Sequence, residues 1–593
     1  MGIPTLSGGV WFDKGYTSNP LVYAGTVGLI PREMAFKEVR PGDAIVTVGG
    51  RTGRDGIHGA TFSSIELSED SETDSSASVQ IGDPITEKCV LDTLLKARDL
   101  GLYRGITDCG AGGFSSAVGE MGEKCGAEVE LSAVPLKYPG LSAHEVWISE
   151  AQERMVLSVP PEKVDACLAL FATEDVEAVV IGHFTDSGQL VIRDQEVVMC
   201  DLSMDFLHNG TPRPTRQARW VAPDLKDPGC PPCRDAGAML LELLGAPNIA
   251  SKEWILRQYD HEVQGNSVVK PLVGVRSDGP SDASVLKPLE DSNKGAVIAC
   301  GCNPNYSEFD PYAMALANID EALRNAVAVG VDPDQTALLD NFSWGNCDKP
   351  EQMGSIVMAS KACYDAAMAF RTPFVSGKDS LNNEYRVGDE TLSIPATLLI
   401  TALGVMPDVA RAVTMDLKQA GNRIYQVGAT RYELAGSHYH KALGLRGGKT
   451  PQPDLARAPQ LFRALHSALA QGLVASAHDL SEGGLAVAAG EMAFAGELGL
   501  DLQLKDLGIE GELPLGVDAD ALKLFSESTS RFLVEVEPAN AKAFEEALKG
   551  MPLTLLGSVQ AAPLFKLSGS AGKTLFELPI EDLRQAHQSG FQG

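Results

Sequence analysis

The sequence predicts an α+β fold built by duplication: two copies of a two-module unit, with the first copy short at its start. Three observations carry this. An internal repeat runs in one order through the chain, strand-like and helix-like runs alternate within each copy, and a turn-rich stretch separates the copies.

The repeat comes first because it organises everything else. Asp108-Cys-Gly-Ala-Gly112-Gly113 is followed by Gly119-Glu120-Met121, and Asp479-Leu-Ser-Glu-Gly483-Gly484 by Gly490-Glu491-Met492; in both copies the glutamate lies twelve residues after the aspartate. Each copy then reaches a Ser-Glu-x-x-x-Arg element, Ser149-Glu150 to Arg154 and Ser526-Glu527 to Arg531. Upstream, Val48-Gly49 matches Val427-Gly428, and Pro4-Thr-Leu-Ser7-Gly8-Gly9 matches Pro373-Phe-Val-Ser376-Gly377-Lys378. Only Met1 to Leu6 precede Ser7, whereas about 150 residues separate Leu225 from Ser376. The first module is therefore expected to lack its beginning.

Turn formers between residues 203 and 235, including Asn209-Gly-Thr-Pro and Pro228-Gly-Cys-Pro-Pro, mark the link between copies. The expected division is 1–36 for the remnant of a first module, 37–205 for its companion module, 206–235 for the linker, 236–410 for the second copy of the first module and 418–580 for the second copy of its companion. Ala44–Val48 and Arg423–Val427 are short β-prone runs that end in glycine. Asp83-Pro84 supplies an N-cap and a first-turn proline for a helix with apolar positions Val90, Leu91, Leu94 and Leu95, and Gly101 is its stop.

At 593 residues the chain exceeds one hydrophobic core, and three or four modules are expected. No stretch reaches the ~20 apolar residues of a membrane helix, and the N-terminus lacks a secretory pattern. A formal charge of -30 excludes DNA and RNA as partners on electrostatic grounds. Eleven scattered cysteines fit free thiols and a cytoplasmic location. Cys230 and Cys233 have half the spacing of a zinc site, but no second pair or histidine follows at ligand spacing.

Gly49-Gly-Arg-Thr-Gly53-Arg54-Asp55-Gly56-Ile-His58-Gly59 follows a predicted strand. Its glycines admit positive φ, which lets successive N–H groups converge on an anion, and Arg54 adds charge-assisted bonds; a phosphate cradle and a plain glycine-rich hairpin are both open readings. Asp108 reads either as a metal ligand or as a cap before Gly112-Gly113. Glu321 and Asn325 lie four apart on a helix-like run and so face one way, as a metal pair or as a solvated face.

These motifs, together with Val79-Gln80-Ile-Gly82-Asp83-Pro84, Ser149-Glu-Ala-Gln-Glu-Arg154, Tyr259-Asp-His-Glu-Val263, Asp340-Asn341, Gly345-Asn346 and Gly377-Lys-Asp379-Ser380, resemble those of the phosphoribosylformylglycinamidine synthase family in order and over nearly the whole chain. The resemblance implies duplicated modules of the aminoimidazole ribonucleotide synthetase fold, paired as an internal pseudo-dimer. It implies an ATP-dependent ligase of purine biosynthesis that joins ammonia to formylglycinamide ribonucleotide, with ATP and Mg2+ as cofactors. Gln80, Glu150, Ala151, Gln152 and Ser380 would contact the ribonucleotide; Asp340 and Gly377, with the Gly49, Gly53, Arg54, Gly56 and Gly59 loop, would contact nucleotide. Asp108 in the first copy and Asp282, Glu321, Asn325 and Asp379 in the second would hold Mg2+. Lys378 stands where shorter members of the family carry a metal-binding Asn, which removes that position from the ligand set.

The second copy has Glu527-Ser-Thr-Ser530-Arg531 where the first has Glu150-Ala-Gln-Glu-Arg154, so the first copy is expected to hold substrate and the second a structural or regulatory nucleotide. The family's catalytic His and ATP-holding Lys would lie upstream of Pro4. No residue here is assigned as general base, neither His58 nor His478 is promoted to that role, and the chain is expected to be incomplete for catalysis. No glutaminase triad follows residue 540, so ammonia would come from a separate glutaminase subunit docked with a small accessory subunit. Two other readings stay open: a non-catalytic nucleotide-binding scaffold, and another kinase of the same superfold, of selenophosphate or thiamine-phosphate type.

Overall fold

In the computed structural model the described residues are 1–17, 19–59, 66, 67, 78 and 82–590. They form two compact units. Unit 1 holds Met1, Val22–Thr215 and the segment Asn383–Thr391; unit 2 holds Gly2–Leu21, Arg216–Asn382 and Leu392–Gly593.

The core of unit 1 is a seven-stranded sheet of β1 (Ala44–Gly49), β2 (Gly105–Asp108), β3 (Ala127–Glu130), β4 (Arg154–Val159), β5 (Ala178–Phe184), β6 (Gln189–Asp194) and β7 (Val197–Ser203), in the order β2-β4-β1-β5-β3-β6-β7. β1 is buried on both faces because helices cover each side. Helix α1 (Pro84–Asp99) packs through Val90, Leu94 and Ala97 against Val46, Val48 and Phe171; α2 (Phe114–Gly122) packs through Phe114, Ala117 and Val118 against Ile45, Val129 and Phe184. The expected α1 signals are in place: Asp83 Oδ1 accepts from Ile85 N–H at 3.1 Å, Pro84 opens the helix, and Gly101 turns out of it at φ +62°. Leu95 faces outward at 41 % exposure, since it lies off the buried stripe.

Unit 2 contains two large sheets over one continuous core. The first has β8 (Ser267–Val269), β9 (Ser284–Leu286), β10 (Gly295–Gly301), β11 (Thr336–Ser343), β12 (Phe374–Ser380) and β13 (Thr397–Met406), in the order β12-β11-β13-β10-β9-β8. Two long helices accompany it, α3 (Pro311–Ala328) and α4 (Pro350–Phe370). The second sheet comprises β14 (Arg423–Val427), β15 (Ser476–Asp479), β16 (Gly499–Gln503), β17 (Phe532–Val536), β18 (Leu553–Gln560), β19 (Leu564–Ser568) and β20 (Thr574–Pro579), in the order β15-β17-β14-β18-β16-β19-β20. Helices α5 (Ala458–Ala470), α6 (Gly484–Gly496) and α7 (Ile580–Ser589) pack on it. α6 is buried all round, as its uniformly small and apolar sequence requires.

The two seven-stranded sheets have one topology, strand for strand, which is the duplication read from the sequence. Even the irregularities repeat. A β-bulge follows Ile45 on β1 and Ile424 on β14. Opposite them sit Gly182 and Gly557, where an added Cβ would lie 2.0 Å from Glu128 O and 1.9 Å from Asp501 O.

The Pro4–Gly9 stretch behaves differently from its match. Residues 374–380 are strand β12, whereas residues 1–13 have no regular structure. Thr5 N–H donates to Asp260 O at 2.9 Å, and Leu6 is buried within unit 2. The stretch is too short to enclose an apolar core, so Leu6 finds burial in unit 2.

His587 on α7 is buried against Phe494, with ring centroids 5.1 Å apart. Burial, helped by the Lys252 ammonium, pushes its pKa down to about 3. A histidine with a folded value below its unfolded one takes up a proton on unfolding. Burial opposes its protonated form, so stability falls as pH drops through the window from ~6.5 toward 3. Chemical denaturation at pH 7 and pH 5.5 is expected to show a loss of about 1 kcal/mol from this group, absent in His587→Phe; an equal loss in the variant would assign it elsewhere.

Candidate functional site

In unit 1 the glycine-rich loop, the Asp108–Gly113 turn and the Ser149–Arg154 segment are knitted together. Gly49 has φ +100°, and an added Cβ would lie 1.9 Å from Glu153 O; at Gly50 and Gly56 it would meet Gln152 O and the Glu150 backbone at 2.7 and 2.8 Å. These glycines are required by close backbone approach to residues 150–153. Gly113 is placed likewise, with Ser149 O 2.0 Å from the site of a Cβ. Glu150 accepts from Gly112 N–H at 3.0 Å. Arg154 clamps the segment: its Nε donates to Ala151 O (3.1 Å), its guanidinium also donates to Ser149 O, and Nη1 reaches Thr52 Oγ1 at 2.6 Å.

The second copy reproduces this with Gly428 (φ +97°) against Ser530 O, Gly484 against Ser526 O, and Arg531 bonded to Ser526 O, Ser528 O and Thr430 Oγ1. Thr52 and Thr430 are contacts the sequence reading missed; they stand three residues after Gly49 and two after Gly428. Glu527 accepts from Gly483 N–H (2.9 Å), as Glu150 does from Gly112. It also accepts from Tyr306 Oη–H (2.7 Å), His438 N–H (2.8 Å) and His438 Nδ1 (3.1 Å). Those donors and the His438 charge hold its carboxyl below the usual carboxylate range against the effect of burial. With so many donors supplied by the protein, the second copy closes around its own glutamate.

Several of the predicted site residues also contact protein groups. Arg54 is drawn to protein: Nε donates to Glu145 Oε1 at 2.8 Å and Nη2 to Gly140 O at 2.8 Å. Gly53 lies beside Asp55 and Lys137, and Gly59 donates its N–H to Gly56 O at 3.1 Å. Of this loop's glycines, Gly49 and Gly56 have positive φ, and Gly53 and Gly59 do not. Asp108 is exposed at the end of β2, and its Oδ1 accepts from Gly110 N–H at 2.8 Å; the cap position of α2 belongs to Gly113. Ala151 is buried, with its carbonyl given to Arg154, and Gln152 Nε2 donates to Glu150 O at 3.2 Å. Gln80 lies outside the described residues.

In unit 2, Asp340, Gly377, Asp379 and Ser380 come together along the carboxyl-terminal halves of the parallel pair β11 and β12. Asp340 is the register partner of Gly377, and Phe342 and Ser343 are those of Asp379 and Ser380. The absent side chain of Gly377 leaves room for the Asp340 carboxylate, 2.2 Å from where a Cβ would be. Partial burial and the Asp379 charge raise the Asp340 pKa.

A second constellation gathers Asp282, His478 and Asp479, all buried, with one ligand atom from each within 4.8 Å of the others. Asp282 Oδ1 accepts from His478 Nδ1 (2.8 Å) and Asp479 N–H (2.9 Å), and His478 Nε2 meets Glu491 Oε2 at 3.0 Å. Burial opposes the charged imidazole, but Asp282 and Glu491 together hold its pKa well above the ordinary value. α3 supplies the neighbouring groups. Glu321 Oε2 accepts from Cys302 N–H (3.1 Å), Asn325 Nδ2 donates to Cys300 O (3.0 Å), and Arg324 bridges Asp320 to Asp479. Burial, with Glu482 and Asp479 nearby, raises the Glu321 pKa well above its ordinary value; Glu482 is itself pushed up to about 7 by burial.

Asp282 Oδ2 and Asn325 Oδ1 are buried without a hydrogen-bond partner among the described residues. Orphaned carboxylate and amide oxygens suit a hard cation, so this donor set fits Mg2+. The cluster contains Asp479 where Asp379 was expected; Asp379 sits on β12, where Asp340 feels its charge. The repeat held the signal, because Asp479 is the counterpart of Asp108, itself read as a metal ligand.

Comparison with known proteins follows the same outline. The family model for the C-terminal domain of AIR synthase related proteins matches residues 40–195 and again 419–569, and the model for the N-terminal domain matches 280–406. The phosphoribosylformylglycinamidine synthase subunit PurL of Deinococcus radiodurans is 37% identical, over 100% of this chain and 79% of its own length. The chain belongs to the phosphoribosylformylglycinamidine synthase subunit PurL family. The PurL subunit of Thermoplasma acidophilum is 33% identical, over 100% of this chain and 76% of its own length. Among solved structures, Thermotoga maritima PurL complexed with FGAR shares the fold at a TM-score of 0.63 and 24% identity, covering 89% of this chain and 74% of that one. The T. maritima PurLQS structure matches at a TM-score of 0.61 and 21% identity, covering 90% and 74%. The expectation that the chain is incomplete for catalysis is not borne out by these comparisons.

Proposed function

We propose that the chain is the ATP- and ammonia-using synthetase subunit that converts formylglycinamide ribonucleotide to formylglycinamidine ribonucleotide in purine biosynthesis. The observation that carries this reading is family membership, with two PurL relatives above 30% identity along the whole chain. The duplicated site elements agree with it.

In this reaction the formamide oxygen attacks the γ-phosphorus of ATP and ADP leaves. Ammonia then adds to the activated carbon, and the carbon–oxygen bond breaks to release phosphate, leaving the amidine. Glu150 and Gln152 would hold the ribonucleotide of the first copy in one orientation, which lowers the entropic part of the barrier, and the loop at Gly49–Gly56 would meet nucleotide. Asp340 and Gly377 would meet the nucleotide in unit 2, where Ser380 is buried at the end of β12. Mg2+ would neutralise phosphate charge when bound. Asp108 would serve as its ligand in the first copy; Asp282, Glu321, Asn325 and Asp479 would serve in the second, with Asp379 beside the nucleotide contacts. A separate glutaminase subunit with a small accessory subunit, and a cytoplasmic location, complete the reading.

Equilibrium titration with formylglycinamide ribonucleotide tests the substrate. Binding at least about tenfold tighter than that of glycinamide ribonucleotide, which lacks the formyl group, is expected, because a site built to hydrogen-bond a polar group rejects the analogue without it. Equal affinity for the two would refute the assignment.

A further inference from the structure

One residue beside the proposed ribonucleotide contacts of unit 1 carries backbone strain. Glu153 has φ +60°, in the left-handed region that glycine occupies freely and other residues rarely. The backbone dictates the turn itself. The Glu153 carbonyl accepts from Gly50 N–H at 3.0 Å, and β4 starts at the next residue, where Arg154 clamps the carbonyls of Ser149 and Ala151. The second copy makes the same turn at Ser530, with φ +56°. Glycine would satisfy both turns, so a side chain kept at each in spite of the strain points to a use for it.

The Glu153 side chain reaches the start of α1. Its Oε1 accepts from Asp83 N–H at 2.6 Å, one residue before Pro84, while the Asp83 carboxylate accepts from Ile85 N–H at 3.1 Å. This bond is made although burial and the Glu87 and Asp83 charges raise the Glu153 pKa, so the surroundings disfavour a carboxylate here. α1 is itself anchored in the core by Val90, Leu94 and Ala97. Because Glu153 follows Gln152 directly, the bond ties the Glu150–Gln152 segment to a packed helix of 16 residues.

The second copy tethers the same turn elsewhere. Ser530 donates its N–H to Asp320 on α3 at 2.9 Å and its hydroxyl to the same carboxylate. Its counterpart of α1, the helix α5, is started from within its own segment, where Asp454 accepts from Ala456 N–H (2.9 Å) and Arg457 N–H (3.3 Å). The strained turn is common to both copies, but the carboxylate link to the flanking helix belongs to the copy read as holding substrate.

We propose that Glu153 is a positioning residue for the synthetase reaction, its tether to the start of α1 holding Glu150 and Gln152 in the geometry that receives the ribonucleotide. This rests on the synthetase reading and adds to it a residue that acts through its neighbours.

Hydrogen exchange and calorimetric titration with formylglycinamide ribonucleotide, on the full chain and on Glu153→Gly and Glu153→Gln, test it. Glycine keeps the turn without strain, and glutamine keeps an acceptor for the Asp83 N–H. Without ligand, amides 83–87 should exchange faster in Glu153→Gly and close to the native rate in Glu153→Gln. Ribonucleotide affinity should fall at least about tenfold in Glu153→Gly, the order of effect of one hydrogen bond to a charged group, and stay within about threefold of native in Glu153→Gln. In a Gln152→Ala background the glycine substitution should weaken binding by under about threefold, because a contact that it positions is gone; an effect on folding alone would keep its full size there. Native affinity in Glu153→Gly, a tenfold loss undiminished in the Gln152→Ala background, or unchanged exchange at 83–87 would overturn the inference and leave the synthetase reading standing. A native chain that does not bind the ribonucleotide would overturn that reading, and the positioning role with it.

Discussion

Replacing Arg324 by methionine is expected to destabilise unit 2 by about 3–5 kcal/mol, the cost of stripping the partner from buried charges. Arg324 is almost fully buried on α3 and bridges Asp320, on its own helix, to Asp479, at the end of β15. Asp320 in turn accepts from Ser530 N–H at 2.9 Å, so one guanidinium ties α3 to two turns of the second seven-stranded sheet. Without it, Asp320 and Asp479 remain as buried carboxylates with too few donors. Urea denaturation measures the loss. The companion variant Arg324→Lys should recover only part of it, because an ammonium cannot present the planar fork that reaches both carboxylates. A loss under 1 kcal/mol in Arg324→Met would mean that the bridge does not organise this junction.

The second large effect is expected at the paired glycines. Gly49→Ala and Gly428→Ala each place a Cβ within 2.5 Å of a carbonyl oxygen, Glu153 O or Ser530 O, at a φ near +100°. Strain at such a dihedral costs about 1–3 kcal/mol, and overpacking adds a similar amount. Each variant should therefore lose about 2–5 kcal/mol, in unit 1 for the first and in unit 2 for the second. Hydrogen exchange resolves the two: Gly49→Ala should deprotect amides of β1 and β4, and Gly428→Ala those of β14 and β17. Equal and small effects on both sheets would show that the loops yield without strain.

Much of this was legible in the sequence because duplication prints itself twice. The Asp-to-Glu spacing and the Ser-Glu-x-x-x-Arg element located two sheets of one topology, and the Val-Gly pairs located the close approach at Gly49 and Gly428. Residues that share a strand pair were legible too, as Asp340, Gly377, Asp379 and Ser380 are. What failed depends on partners distant in sequence. Pro4–Gly9 resembles Pro373–Lys378, but β12 exists because β11 lies parallel to it, and the early stretch has no such neighbour. Arg54, read as a phosphate contact, also pairs through Nε with Glu145, 91 residues away, a partner no local motif discloses. The Asp282, His478 and Asp479 cluster was not legible because it forms across the fold: Asp282 comes from the loop between β8 and β9, and Asp479 from the end of β15.

The central claim is that the two copies divide the work, the first taking substrate and the second closed around Glu527. The stoichiometry of formylglycinamide ribonucleotide binding, measured by calorimetry on the native chain and on Glu150→Gln, tests this most directly. The account predicts one ribonucleotide per chain, with that binding lost in Glu150→Gln; two per chain, or one that survives the substitution, would contradict it.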